Sequence, residues 1–125
     1  MICNHKEIEK HNLEGGIIVQ VLGVCKSMNV LHWDLEDQSI IKNHTHPQEQ
    51  FGFIIKGQLD MTISGKKYSV KAGDAYFIPA NAEHSFIAVG DSEAIDVFSP
   101  IKRKYANPNI DIILDNVIKN NKPNS

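Results

Sequence analysis

The segments that decide the fold are HTHPQEQFGFIIKG, residues 44–57, and GDAYFIPANAEH, residues 73–84. His44 and His46 are separated by one residue, and in a β-strand two such side chains point to the same face, about 6.7 Å apart along the strand. Two imidazoles on one face can bind one metal ion, and His84 on a facing strand would supply a third nitrogen. The spacing therefore predicts a metal site assembled from strands that are distant in the sequence.

Three further histidines, His5, His11 and His32, have no partner at ligand spacing. We interpret these three as surface or terminal residues. The metal prediction therefore depends only on the two segments above, in which Gln50 offers a fourth donor close to His46.

The region from residue 17 to about residue 100 alternates short apolar runs with turn residues. In its clearest strand, Gln58–Ser64, every second residue is apolar, and Gly65 follows as a hairpin turn. Other predicted strands cover residues 17–22, 31–35, 40–46, 51–55, 68–71, 76–78, 84–89 and 94–98. Many short strands at regular spacing indicate an antiparallel sandwich or barrel.

The two ends of the chain differ from this region. Residues 1–16 are polar and end in two glycines, which indicates an N-terminal arm. After the barrel region, residues 17–100, comes an extension, residues 101–125, in which apolar residues recur at helical spacing and predict a helix over 109–119. We expect this helix to pack on the barrel or on a partner subunit.

The composition excludes several classes of protein. A chain of 125 residues suits one domain, and its net charge of −2 gives no general attraction to nucleic acid. The one basic cluster, residues 102–104, is too small for a nucleic-acid surface. Two cysteines without CxxC spacing make a disulfide framework or a cysteine zinc site unexpected. No apolar run has the length of a signal core or a membrane span, so we predict a cytoplasmic protein.

Residues 44–57 and 73–84 resemble the two sequence motifs of the cupin superfamily. This resemblance implies an all-β fold, the double-stranded β-helix or jelly-roll barrel, which holds one divalent transition metal ion. Nickel, zinc, iron, manganese and copper all suit imidazole ligands, and the sequence does not choose among them. Three positions depart from the motifs: Gln50 stands where glutamate is usual, Asn81 where glycine is usual, and Ala88 where the second motif often ends in asparagine.

The cupin register favours Gln50 as the fourth ligand, beside His44, His46 and His84. Its amide oxygen is neutral, so a divalent ion would keep its full charge and act more strongly as a Lewis acid. Glu49 is the competing candidate, which we expect to turn outward or to contact the ligands.

The run HPQEQ, together with DVFSP at residues 96–100, also resembles the small KdgF-type cupins of pectin and alginate degradation. Those proteins are thought to open the ring of 4,5-unsaturated uronates. The resemblance implies that Asp96 transfers a proton and that Phe98 lines the substrate pocket. Lys102 falls where that family often has arginine, and Arg103 is the neighbouring candidate for binding the substrate carboxylate.

Two of these residues have alternative interpretations. Ile95 and Val97 could face the core, which would leave Asp96 in solvent. Tyr76 is a candidate pocket residue, or the base of a metal-dependent lyase, or an ordinary strand residue that fills the barrel.

The predicted function is that of a metal-dependent enzyme acting on a small anionic sugar-like acid, by ring opening and tautomerisation. An iron or copper dioxygenase is the alternative enzyme, and a non-catalytic ligand-binding cupin is the alternative from another class. We predict a homodimer, with a small carboxylate as the substrate and with neither nucleic acid nor membrane as a partner.

Overall fold

A computed structural model describes residues 2–101, which form a short 3-10 helix and eight β-strands. The helix, His5–Glu7, leads the chain. The strands are β1 (His11–Asn12), β2 (Ile17–Val24), β3 (Asn29–Leu35), β4 (Ile40–His44), β5 (Glu49–Ile63), β6 (Lys66–Lys71), β7 (Ala75–Ile78) and β8 (His84–Ser99).

The strands form two sheet layers that face each other. The two long strands, β5 and β8, contribute to both layers. Residues 92–98 of β8 pair with β3, and the first part of β5 pairs with β8 and β7. Residues 84–87 of β8 pair with β4, and the second part of β5 pairs with β6. All of these pairings are antiparallel, so the architecture is the predicted all-β jelly-roll.

A glycine lies where each long strand passes from one layer to the other. Gly57 in β5 has φ +80° and Gly90 in β8 has φ +77°, values that side chains disfavour. The β5–β8 register shifts on either side of Lys56, next to Gly57. A Cβ on Gly57 would lie 2.3 Å from Oγ of Ser92 and 2.6 Å from the carbonyl oxygen of Asp91. Only glycine fits this corner.

These corners correct two predictions. Residues 51–55 and 58–64 were expected as separate strands, but both lie in the continuous strand β5. Likewise, the predicted strands 84–89 and 94–98 are both parts of β8. A glycine inside an apolar run can bend a strand instead of ending it, and the sequence pattern alone does not separate the two cases. At Ser64–Gly65, with φ of +49° and +79°, the predicted hairpin turn is confirmed.

The core lies between the layers and is formed by alternate residues of the strands. Its fully buried members include Leu31, Ile54, Leu59 and Met61. The first residues of the chain are not wholly detached, because β1 pairs with β2 and Leu13 is fully buried. The expected N-terminal arm is therefore partly docked on the barrel.

The prediction of a surface position is wrong for His32. Its relative exposure is 5%, and its ring centroid lies 5.6 Å from that of His5. The neighbouring Gln20, also buried, donates hydrogen bonds through Nε2 to the carbonyl oxygens of His5 and Ile8. The docked N-terminal residues thus cover an outward-facing position of β3, which a local pattern cannot anticipate.

The candidate anchors Lys102 and Arg103, and the predicted helix 109–119, lie outside the described residues. Within residues 2–101, no helix has the length and apolar character needed to cross a membrane.

Candidate metal centre

Strand pairing brings the three motif histidines together. His44 ends β4 and His84 begins β8, and the two are cross-strand partners. His46 lies two residues after the end of β4, and its carbonyl oxygen accepts a hydrogen bond of 2.8 Å from the backbone N–H of Asn81. Asn81 has φ +66°, the left-handed conformation that the glycine of the motif would also adopt. This contact holds the segment after β4 against the segment before β8.

The three imidazoles form one cluster inside the barrel. The ring centroids are 4.2 Å apart for His44 and His84, and 4.8 Å apart for His46 and His84. Each residue offers one ring nitrogen, and these nitrogens lie within 4.8 Å of one another. His84 is fully buried and His46 is 6% exposed, whereas His44 is half-buried and lies on the solvent side of the cluster.

In each of the three histidines, Nδ1 forms a hydrogen bond with a backbone carbonyl oxygen. Nδ1 of His44 lies 2.8 Å from the carbonyl oxygen of Lys42. Nδ1 of His46 is 3.0 Å from a carbonyl oxygen, that of Gln48, and Nδ1 of His84 is 2.9 Å from one, that of Ala82. A carbonyl oxygen can only accept, so Nδ1 carries the proton in each case and Nε2 of a neutral ring keeps its lone pair. This is the tautomer that binds a metal ion through Nε2, with a backbone group orienting the ring.

Gln50 faces the same cluster, while Glu49 does not. The Gln50 side chain is 5% exposed, and its Oε1 lies 3.0 Å from Nε2 of His46. Glu49 is exposed. With the proton of His46 on Nδ1, two electron-rich atoms face each other, an arrangement that a cation stabilises. The donor set therefore fits a divalent ion bound by three imidazoles and one amide oxygen.

Asp96 lies inside the barrel, on the face opposite to Ile95 and Val97. The strand register pairs it with Gly52, and its side chain is 1% exposed. Burial raises the pKa of Asp96 to about 6, although hydrogen bonds from Tyr76 and Gln50 act in the opposite direction. The Gln50 amide thus joins the carboxyl to the histidine cluster, with its N–H toward Asp96 and its oxygen toward His46.

The Tyr76 hydroxyl donates a hydrogen bond of 2.5 Å to Oδ1 of Asp96. Burial, and then the charge of Asp96, raise the pKa of Tyr76 well above its ordinary value. A phenol in this environment keeps its proton, which argues against the lyase hypothesis with Tyr76 as the base. The contacts instead make Tyr76 a residue that positions Asp96.

Gly52 provides the space for this tyrosine, a role that sequence reasoning missed. It is the cross-strand partner of Tyr76 on one side and of Asp96 on the other. A Cβ on Gly52 would lie 1.9 Å from Cζ of the Tyr76 ring. The glycine inside the run QFGF was the available signal, because a glycine within a strand often marks a close approach.

We expect Gly52→Ala to lower the free energy of unfolding by about 2 kcal/mol or more, because the added methyl group overpacks the Tyr76 ring. Urea denaturation measures the change. Gly23→Ala is the matched control: Gly23 also lies in a strand, but a Cβ there meets nothing within 4 Å. Equal stability of the two variants would contradict the packing argument.

Phe98 also lies at the site. It is buried, and its ring meets that of His46 edge to face at a centroid distance of 5.4 Å. The structure therefore brings seven of the nine candidate residues into one region. The other two, Lys102 and Arg103, lie outside residues 2–101.

Known proteins share the sequence pattern and the fold of this chain. A family model described as "Cupin domain" matches residues 31–98. Polyketide synthase CurC of Streptomyces cyaneus is 36% identical over 67 residues, which are 51% of this chain and 44% of CurC. H2HPP isomerase of Bacillus subtilis is 39% identical over 59 residues, 46% of this chain and 25% of that protein. Pectin degradation protein KdgF of Dickeya dadantii is 34% identical over 59 residues, 46% of this chain and 54% of that protein.

These matches thus span between a quarter and about half of the length of the curated relatives. Among solved structures, an RmlC-like cupin from Shewanella frigidimarina superposes with a TM-score of 0.79 at 21% identity, covering 83% of this chain and 94% of that one. KdgF from Halomonas sp. superposes with a TM-score of 0.76 at 24% identity, covering 82% and 94%. At these identities the superpositions establish the fold alone.

Proposed function

Since this chain belongs to the cupin family, we propose that it is a metal-dependent enzyme that opens and tautomerises the ring of a small anionic sugar acid, a 4,5-unsaturated uronate. The observation that carries the proposal is the buried connection from Asp96 through the Gln50 amide to the histidine cluster. The names of two relatives support a proposal of isomerisation of a sugar acid, because one is named a pectin degradation protein and another an isomerase.

His44, His46, His84 and Gln50 would hold the divalent ion. When bound there, such an ion supplies Lewis-acid chemistry to a substrate oxygen. All four donors are neutral in the tautomer described above, so they do not reduce the charge that the substrate experiences. The substrate would enter from the side of His44, the half-buried member of the cluster.

Asp96 would move the proton that the isomerisation requires. The hemiacetal hydroxyl loses its proton while the ring C–O bond breaks, which gives an aldehyde and an enol. The enol carbon then gains a proton and the enol oxygen becomes a keto group, so no atom is lost and no oxidant is consumed. Asp96 can carry out both transfers from one position, while Tyr76 and Gln50 hold its carboxyl in place.

The neutral fourth ligand gives a test of this scheme. We expect Gln50→Glu to bind the metal about tenfold more tightly or better, because a carboxylate adds negative charge to the ligand set. The rate of ring opening should fall, because the same charge weakens Lewis-acid action and lies beside Asp96. Equilibrium dialysis and the enol absorbance measure the two effects. Glu49→Gln is the control and should change neither, and a Gln50→Glu variant as active as the original chain would refute the role of the neutral ligand.

The activity itself is tested by incubating the metal-loaded protein with unsaturated galacturonate and following the loss of the enol absorbance. Acceleration over buffer supports the proposal. No acceleration with nickel, zinc, iron, manganese or copper would refute it. Oxygen uptake that accompanies turnover would instead support the dioxygenase, and saturable binding without turnover would support the non-catalytic alternative.

The remaining predictions concern the residue that binds the substrate carboxylate, the oligomeric state and the cellular location. Lys102 or Arg103 would bind the substrate carboxylate, and the protein would be a cytoplasmic homodimer. An exposed apolar area on the outer face of β5 and β7 agrees with a subunit interface; its members are Phe51, Phe53, Ile55 and Phe77. Both the homodimer and the cytoplasmic location stay predictions.

A further inference from the structure

A second cluster of side chains that could ligate a metal ion lies on the outer face of the β3–β8 pair, away from the barrel interior. His32 and Asp34 point to the same face of β3, and Glu93 of β8 is the cross-strand partner of Asp34. Each of the three residues offers one ligand atom, and these atoms lie within 4.8 Å of one another. The function proposed above uses none of them.

The hydrogen bonds of His32 define which of its nitrogens is available. Nε2 lies 2.7 Å from Oε1 of Glu93, and a carboxylate only accepts, so Nε2 carries a proton. Nδ1 faces Oδ2 of Asp34 at 3.9 Å and has no hydrogen-bond partner among residues 2–101. The side chain of His32 is 6% exposed, so solvent does not replace the missing partner. A buried nitrogen and a carboxylate oxygen therefore face each other at a distance too long for a hydrogen bond.

The charged residues around Asp34 and Glu93 favour the binding of a cation. Asp34 and Glu93 line an open pocket of about 590 Å³. Three further carboxylates, Glu14, Glu36 and Asp91, line the same pocket, and among residues 2–101 Lys56 is the single basic residue in its lining. This excess of negative charge lowers the energy of a positive ion beside Asp34.

We propose that His32 and Asp34 bind a divalent cation on the outside of the barrel, separate from the barrel site. Nδ1 of His32 and a carboxylate oxygen of Asp34 are the ligands, and water from the pocket completes the coordination. Glu93 orients the ring by accepting its Nε2 proton, as carboxylates commonly do behind metal-bound histidines. The mixed nitrogen and oxygen donors suit a borderline ion of the zinc or manganese class.

The test is a titration of the full chain with Zn²⁺, followed by the ¹H–¹⁵N signals of the histidine rings. We expect the His32 ring to respond through Nδ1, in a step distinct from the barrel histidines. Asp34→Asn should weaken this step at least about tenfold and leave the barrel step unchanged. Asp34 is 45% exposed, so its replacement does not threaten folding. Glu14→Gln removes a carboxylate of the same pocket outside the cluster and is the control.

Two results would overturn the proposal. In the first, the His32 ring carries protons on both nitrogens and does not respond to Zn²⁺, which would make the cluster an ion pair with Asp34. In the second, Asp34→Asn binds Zn²⁺ at His32 as tightly as the original chain does. Neither result bears on the barrel site, whose ring signals are followed separately.

Discussion

Asp96→Asn is expected to slow ring opening of the unsaturated uronate by about 10²–10⁴-fold, the range that a positioned acid–base group contributes. The amide has the size of the carboxyl and can still accept a hydrogen bond from Tyr76, but it cannot carry a proton between two positions of the substrate. The loss of enol absorbance gives the rate. Elemental analysis of the same sample should show an unchanged metal content, because Asp96 is not a ligand in the proposed set.

Asp60→Asn is the matched control for this variant. Asp60 lies in the same strand as Gln50, but its side chain is exposed on the outside of the barrel. It should keep the full rate. An Asp96→Asn protein with full activity would remove Asp96 from the mechanism, even if the original chain proves to be an isomerase.

His44→Ala is expected to have the second large effect, a loss of metal affinity at the barrel site of at least about 100-fold. Removing a ligand should cost more than the 10–100-fold seen when a supporting residue behind a ligand is removed. His44 is the half-buried member of the cluster, so the replacement leaves a smaller internal void than His46→Ala or His84→Ala would. Dialysis against a limiting concentration of metal, followed by elemental analysis, should find one ion fewer per chain.

Thermal unfolding provides a second measurement of the same loss. An ion that binds only the folded state raises the melting temperature, and this increase should be much smaller in His44→Ala. His11→Ala is the control, since His11 is also half-buried but lies in β1, outside the cluster. A His44→Ala protein that retains both its ion and its metal-dependent stabilisation would contradict the proposed ligand set.

The residues of the candidate site were largely predictable because they lie in local patterns. The spacing of His44 and His46 and the two motif segments are visible without any knowledge of the fold, and the structure confirms that their rings meet His84 in one cluster. The direction of Asp96 was not predictable, because apolar residues flank it on both faces of the strand. Its orientation depends on the pairing of Gly52 with Asp96, a contact between distant parts of the chain.

The wrong predictions, of the strand ends and of the position of His32, also arise from contacts between distant parts of the chain. The strands β5 and β8 continue through Gly57 and Gly90, because both glycines turn a corner of the barrel. The surface assignment of His32 was wrong because N-terminal residues pack over it and a partner from β8 lies beside it. In each case, the deciding contact involves a segment that is remote in the sequence, which periodicity within one strand does not report.

The position of β8 in the chain has a consequence for biosynthesis. This strand is the last of the eight, and it pairs with β3, β4 and β5, so every layer of the barrel includes it. Closing such distant pairings is slow compared with forming helices or local hairpins. Until the ribosome has synthesised β8, His84 is not available to join His44 and His46. A barrel site with all four candidate ligands can therefore form only after β8 has been synthesised.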